Sequence, residues 1–331
     1  MNQIKLNKFD PTILEKKRST GNAPSCAIIG KRSTGKSVLV QDILYHFTEL
    51  PMVLCMFGTE GHDNFYSKYI NDNWIYPGYN SNVVSDLINI QKKILWDYFN
   101  NGQYSYDHPK IGIGILMDTI VYDTNMMSDP GIRDIFLYGR RLNITSIITF
   151  HYALRLSPQF RTNLDYVFVF RDDKQYNIKI LYEYFFGCFD TFDDFKKVFY
   201  EYTNDYGCLV LDNTARSTKI EDQVFWYKAT PDRQFKIGSV EMWKIWDSQL
   251  KDRCELYNNQ IINIFNSIVG EYCDDKILKI PKSIEYLMVK KRAIISPYLV
   301  SQIKKYLLIN KILNEQLILD LDVVSVVVLF Y

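Results

Sequence analysis

The chain is poor in everything that marks a metalloprotein, a secreted domain or a membrane protein. Its six cysteines (Cys26, Cys55, Cys188, Cys208, Cys254 and Cys273) include no C-x-x-C pair, and its four histidines are dispersed. No zinc-ligand spacing exists, and the scattered thiols suit a reducing compartment in which a buried cysteine serves as a small hydrophobe. The opening Met1–Asp10 is polar and lacks the apolar core of a secretory signal. The most apolar stretch, Leu317–Tyr331, is broken by Asp320 and Asp322. It falls short of the ~20 residues that a spanning helix needs, so a buried strand or docking segment is expected there rather than a membrane contact. Internal repeats and low-complexity segments are absent. Charge of one sign is absent too: the net value is +1. That argues neither for nor against nucleic acid: a protein coating DNA over its whole surface is usually more basic, whereas one gripping DNA through a few loops need not be.

What the chain does have is aromatic bulk, with 25 Tyr and 20 Phe among 331 residues. That is ample apolar area for a folded core and argues against disorder. Short apolar runs alternate with helical patterns. Ser25–Ile29 ends at Gly30; Met52–Phe57 stops at Gly58; Ile111–Met117 ends at Asp118; Ile144–Phe150 and Tyr166–Phe170 follow. Val38, Leu39, Ile43, Leu44 and Phe47 recur at helical spacing, as do Val84, Leu87, Ile88, Ile94, Leu95 and Tyr98, and Gly131–Arg141 reads as a further helix. This alternation predicts an α/β fold with a mainly parallel sheet covered on both faces. Cys208–Leu211 and Val224–Tyr227 are candidates to extend the sheet. We expect a polar leader over 1–20, a core domain over 21–246 and a mainly helical appendage over 247–331.

The chemistry concentrates at Gly30-Lys31-Arg32-Ser33-Thr34-Gly35-Lys36-Ser37, which matches G-x-x-x-x-G-K-[ST] at every fixed position. The two glycines let the backbone wrap so that successive N–H groups point at phosphate oxygens, and the following helix offers its positive end to the same anion. Lys36 would place a charge near the β and γ phosphates of ATP, and the Ser37 hydroxyl would ligate Mg2+. An apolar strand before the loop and a helix after it supply the context that the motif requires. Such a site needs a second carboxylate at the end of another strand, and Asp118 meets that description. Arg140 is either an arginine that reaches a γ-phosphate, its own or a neighbour's, or a cation complementing a helix C-terminus; Arg161 stands the same way. His151 ends a strand near the expected γ-phosphate, as a group orienting water or as a hydrogen-bonded strand-end histidine.

These segments, in this order, resemble the virion-packaging ATPases of nucleocytoplasmic large DNA viruses and virophages, within the FtsK–HerA superfamily of ring-forming DNA pumps. The matching blocks begin at Ala27 (the P-loop), Phe57, Tyr138, Arg161, Cys208 and Phe225, across roughly Gly21 to Trp246. The resemblance implies an ASCE-type P-loop core with an extra strand between the P-loop strand and the Asp118 strand. It also implies a homo-oligomeric ring that drives double-stranded DNA into a capsid, with capsid or portal-region proteins as partners and the host cytoplasm (the viral factory) or the virion as location. Gly30, Gly35, Lys36 and Ser37 carry over as Walker A, Asp118 as the Walker B metal carboxylate, and Arg140 as a candidate trans-acting finger. Two positions depart from the pattern: Thr119 replaces the second Walker B acid, and His151 a customary glutamine. Threonine is no general base near neutral pH, so Glu60 or Asp123 is the candidate for the missing carboxylate. Two other classes remain: a non-hydrolysing nucleotide-binding capsid scaffold, and a small-molecule phosphotransferase on the same loop.

Overall fold

The computed structural model describes residues 4–58, 63–100, 112–119, 126–153, 156–241 and 243–244. The chain divides into two compact units, Met1–Trp243 and Lys244–Tyr331. All of the second but Lys244 lies outside the described residues, and with it the expected helical appendage and the Leu317–Tyr331 segment.

The first unit is built on a sheet of nine strands among the described residues. In chain order these are β1 (Asn7–Lys8), β2 (Ser25–Ile29), β3 (Val53–Phe57), β4 (Ile75–Pro77), β5 (Ile113–Asp118), β6 (Ile144–Phe150), β7 (Tyr166–Phe170), β8 (Gly207–Asp212) and β9 (Val224–Lys228). Their spatial order is β1-β9-β8-β7-β2-β6-β5-β3-β4. Every neighbouring pair is parallel except β7–β8 and β8–β9, so β8 alone runs against the rest. The five strands expected from continuous apolar runs are all present and wholly buried. That is the behaviour of strands covered on both faces, where no polar alternation is needed. The two outermost strands are only two and three residues long. Short edges limit further pairing.

Side chains alternate between two cores. Ala27 and Ile29 of β2 join Ile115, Met117, Ile148 and Phe150 on one face. Cys26 and Ile28 join Leu116, Ile147 and Phe168 on the other. The first face is covered by α4 (Ser81–Asn100), α5 (Pro130–Tyr138), α7 (Gln175–Phe185) and α8 (Phe192–Tyr202); the second by α1 (Thr12–Ser19) and α2 (Lys36–Tyr45). Three shorter helices, α3 (Asp63–Tyr66), α6 (Pro158–Arg161) and α9 (Ile220–Gln223), lie in the connections. The α5 start follows from its sequence: Asp129 accepts from the Gly131 and Ile132 amides, and Pro130 has no N–H to satisfy. Within α4, Val84, Leu87, Ile88 and Leu95 are buried as their spacing predicted, but Ile94 is 37% exposed.

Three features differ from the sequence reading. Residues 7–19, expected as a polar leader, form β1 and α1, and β1 pairs with β9 from the far end of the unit. Helices α7 and α8 were not anticipated. The β8 strand extends the sheet as foreseen, but antiparallel. Cys26, Cys55, Cys188 and Cys208 are free thiols. Among the described residues no helix is long and apolar enough to cross a membrane.

Candidate nucleotide site

Strand register assembles the site. Ile29 pairs with Phe150, and Met117 with Ile148, so the C-terminal ends of β2, β5 and β6 are nearly level. The P-loop leaves β2 at that edge, Asp118 ends β5, and Thr149 to His151 end β6. The β6 strand lies between β2 and β5.

The loop is tight because its residues leave no alternative. A Cβ added at Gly30 would sit 2.7 Å from Thr34 Oγ1 and 2.8 Å from Phe170 Cβ, so only glycine fits without displacement. Gly35 has φ of 101°, a left-handed conformation natural to glycine, and caps α2. Ser33 also has positive φ, at 65°. The Thr34 hydroxyl donates to the Lys31 carbonyl (2.8 Å). The Lys36 ammonium donates to the carbonyls of Gly30 (2.6 Å) and Lys31 (2.9 Å) and lies 3.5 Å from His151 Nδ1. Lys36 is only 7% exposed, and burial pulls its ammonium down to about 8 against the opposing pull of Asp118. Among the described residues it makes no ion pair. A buried cation held by neutral carbonyls is what a polyphosphate would complete. Burial, then the Lys36 charge, lowers the His151 imidazole below its ordinary value, which keeps it neutral near pH 7. Lys31 instead pairs with Asp173, and Arg32 is exposed.

Asp118 is 2% exposed and is held by two hydroxyls. Thr149 donates to Oδ1 and Tyr66 to Oδ2, each at 2.6 Å. Thr149 in turn accepts from the Thr119 amide at 2.9 Å. Tyr66, fully buried at the end of α3, has its phenol raised by burial and by the Asp118 charge, so it stays a donor. Neither hydroxyl consumes all the acceptor capacity of the carboxylate. With the half-buried Ser37 in the first turn of α2, Asp118 supplies the oxygen donors that Mg2+ prefers. Thr119 takes φ of 54°, an outlier for a β-branched residue.

Other expected residues are not brought here. Arg140 follows α5 and pairs with Asp165, at the end of the sheet where β2 and β7 begin. Four residue steps of β2, roughly 13 Å at ~3.3 Å each, separate that end from the P-loop. Arg140 therefore does not address the P-loop of the same chain. Arg161 donates to the Leu156 carbonyl and lies 3.5 Å over the Tyr184 ring. Glu60 and Asp123 lie outside the described residues. Tyr66 was missed by the sequence reading. Nothing local marks it among 25 tyrosines, because its partner is 52 positions away.

The motif, its geometry and the strand order define the chain as a P-loop NTPase fold of the ASCE type. No known family profile matches the chain. It is 32% identical over 218 residues to uncharacterized protein L437 of Acanthamoeba polyphaga mimivirus, covering 66% of this chain and 76% of the relative. It is 30% identical over 219 residues to uncharacterized protein 088R of Invertebrate iridescent virus 3, covering 65% and 80%. The chain belongs to the family of these viral proteins. Among solved structures it is similar to the genome packaging NTPase B204 of Sulfolobus turreted icosahedral virus 2 bound to AMPPCP. That match has TM-score 0.42 at 12% identity over 63% of this chain and 99% of that one. The pCW3 conjugation coupling protein TcpA gives 0.46 at 13%, over 76% and 75%.

Proposed function

We propose that this chain is an ATP-driven translocase that packages viral double-stranded DNA into a capsid, acting as a homo-oligomeric ring in the host cytoplasm or the virion. The observation that carries the reading is the convergence of Lys36, Asp118 and His151 at one strand edge. The viral membership of the family and the resemblance in the Tyr138, Arg161 and Cys208 blocks support it. Lys36 binds the β and γ phosphates through its ammonium. Ser37 and Asp118 hold Mg2+, which neutralises developing phosphate charge when bound. His151, neutral and beside Lys36, orients the attacking water. Arg140 acts on a neighbouring subunit's nucleotide, so turnover depends on assembly. Pore loops grip DNA through phosphates, and binding weakens steeply with salt.

A second reading is favoured by one position. Thr119 provides no carboxylate beside Asp118, and its amide N–H donates a hydrogen bond to Thr149 Oγ1, which suits a nucleotide-binding scaffold with little turnover. An ATPase assay titrated with double-stranded DNA, with oligomer size monitored, separates the two. The translocase predicts DNA-stimulated phosphate release that Lys36→Ala abolishes. The scaffold predicts ATP binding without release, and a phosphotransferase predicts DNA-independent turnover with a nucleoside acceptor. Turnover intact in Lys36→Ala would overturn the site assignment itself.

A further inference from the structure

The groups that meet a terminal phosphate all lie where β2, β6 and β5 end, on the β6 side of β2. A nucleotide seated on the loop with its γ end on that side must extend its remainder the other way, over β7 and β8. On that side the structure has a cleft of about 270 Å3, lined by residues of the P-loop, the end of β7 and the turn that leads into β8, Tyr206 among them. Its size approaches the ~300 Å3 lower end of small-molecule sites.

Tyr206 stands out in that lining. It is 64% exposed, and among the described residues its ring packs on no other ring. Asp205 and Tyr206 have φ of 46° and 60°, two successive left-handed residues without a glycine. Such backbone persists only where its surroundings over-determine it. The consequence is a ring set against the phosphate loop: a Cβ built on Gly35 would lie 3.5 Å from Tyr206 Cδ1. An aromatic face kept in solvent at contact distance from a phosphate loop offers a stacking surface to whatever the phosphates carry.

We infer that this cleft is the nucleobase subsite, with Tyr206 as its platform, and that it holds a purine by its face without reading its edge. The second half follows from where the polar side chains point. The Arg171 guanidinium donates to the Tyr200 carbonyl and to Asn204 Oδ1 and lies 4.6 Å over the Tyr200 ring. The hydroxyls of Thr34 and Thr203 donate to the carbonyls of Lys31 and Phe199. Asp205 pairs with Lys228. Apart from Ser33 and Tyr206, every polar side chain lining the cleft is already engaged with the protein, Asn204 Nδ2 with the Glu201 carbonyl included, so none is dedicated to telling the amino substituent of adenine from the oxygen of guanine. Discrimination of that kind needs hydrogen-bonding groups dedicated to the edge. Stacking tolerates any base, because each has a π face.

The inference rests on the P-loop reading, and calorimetry on the full chain keeps the two apart by comparing ATP, GTP and inorganic tripolyphosphate, each with Mg2+. The wild type should bind ATP and GTP within about threefold of each other. Tyr206→Ala should weaken both by roughly 5- to 150-fold, the range found for losing one aromatic–base stack, and leave tripolyphosphate affinity unchanged. Tyr206→Phe should retain wild-type values, since the ring is kept. ATP affinity unmoved by Tyr206→Ala, an equal loss for tripolyphosphate, or an equal loss in Tyr206→Phe would each overturn the platform. A tenfold preference for ATP over GTP would overturn the claim that the edge is not read. Failure of the wild type to bind either tripolyphosphate or ATP would sink the P-loop reading, and the subsite with it.

Discussion

The two ends of the central sheet handle charge in opposite ways. Where β2 and β7 begin, Asp165 accepts from the Ser25 amide (2.9 Å) and hydroxyl (3.1 Å) and meets Arg140 directly. Positive and negative groups touch, and the arrangement is complete. Where β2, β5 and β6 end, Lys36 and Asp118 are both buried and close enough to influence each other, yet neither is the other's partner. The cation is held by carbonyls and the carboxylate by hydroxyls. Charges satisfied by each other stabilise a fold; buried charges kept apart by neutral groups remain available to a ligand.

If that contrast is right, the largest effect belongs to Asp118→Asn. The amide keeps the shape and can still accept from Thr149, but it removes the charge that would hold a metal. Phosphate release should fall by roughly 10²–10³-fold, comparable to removing one preorganised electrostatic contact, while stability falls by only about 1–3 kcal/mol as the Tyr66 hydroxyl loses its acceptor. Turnover within a few-fold of wild type would erase the functional half of the contrast.

At the other end the order reverses, and stability is what suffers. Asp165→Ala leaves the buried Ser25 amide without its acceptor and Arg140 without its counter-charge, while the Ser25 hydroxyl keeps the Asn163 carbonyl. Denaturant unfolding should show a loss of about 2–4 kcal/mol, while ATP affinity of the folded protein is preserved. Arg140→Ala should cost less, about 1 kcal/mol or below, since its side chain is 56% exposed. If Arg140→Ala also stops turnover in assembled protein without changing nucleotide affinity, the arginine has a second role on a neighbour.

Much of the end that carries Lys36 and Asp118 was legible in the sequence. Continuous apolar runs located five strands, with Ile144–Phe150 and Tyr166–Phe170 matching β6 and β7 end for end. The spacing in the glycine loop named Lys36 and Ser37. The position of Arg140 is legible too. A residue that precedes a parallel strand lies at the opposite end of the sheet from one that follows a neighbouring strand. Helices α7 and α8 also left a signal, in Ile178, Leu181 and Phe185 and in Phe195, Val198 and Phe199. What local sequence does not carry is long-range partnership. Asn7 and Lys8 are polar and exposed, and are a strand only because β9 offers an edge. Tyr66 is a site residue only because folding brings β5 against it.

A smaller effect sharpens the same comparison through pH. The Lys36 ammonium has been pulled down to about 8, whereas a bound polyphosphate would favour its charged form. Binding then takes up a proton once the free lysine is mostly neutral, so ATP affinity should fall as pH rises above 8, approaching tenfold per unit while the bound form stays protonated. Calorimetry in buffers of differing ionisation enthalpy would read the proton uptake directly. Lys36→Arg, which cannot lose its proton in this range, should bind with a flat profile. A flat wild-type profile would mean that the ammonium is not as desolvated as its carbonyl cage indicates.

The smallest expected effect concerns the hydroxyls that stand in for counter-charges at Asp118. Tyr66→Phe removes the O–H that donates to Oδ2 and little else, since the ring and its packing remain. The carboxylate keeps more of its charge on that oxygen and becomes the better metal ligand, but it is held at one atom instead of two. The Mg2+ concentration for half-maximal turnover should therefore drop a few-fold, while turnover at saturating Mg2+ also drops a few-fold through poorer positioning. Losing one buried hydrogen bond should cost about 1–2 kcal/mol of stability. The split between metal affinity and turnover is the informative part. If Tyr66→Phe loses stability alone and leaves the metal titration where it was, the tyrosine is packing for β5 rather than a support for the carboxylate, and Thr149 carries that task by itself.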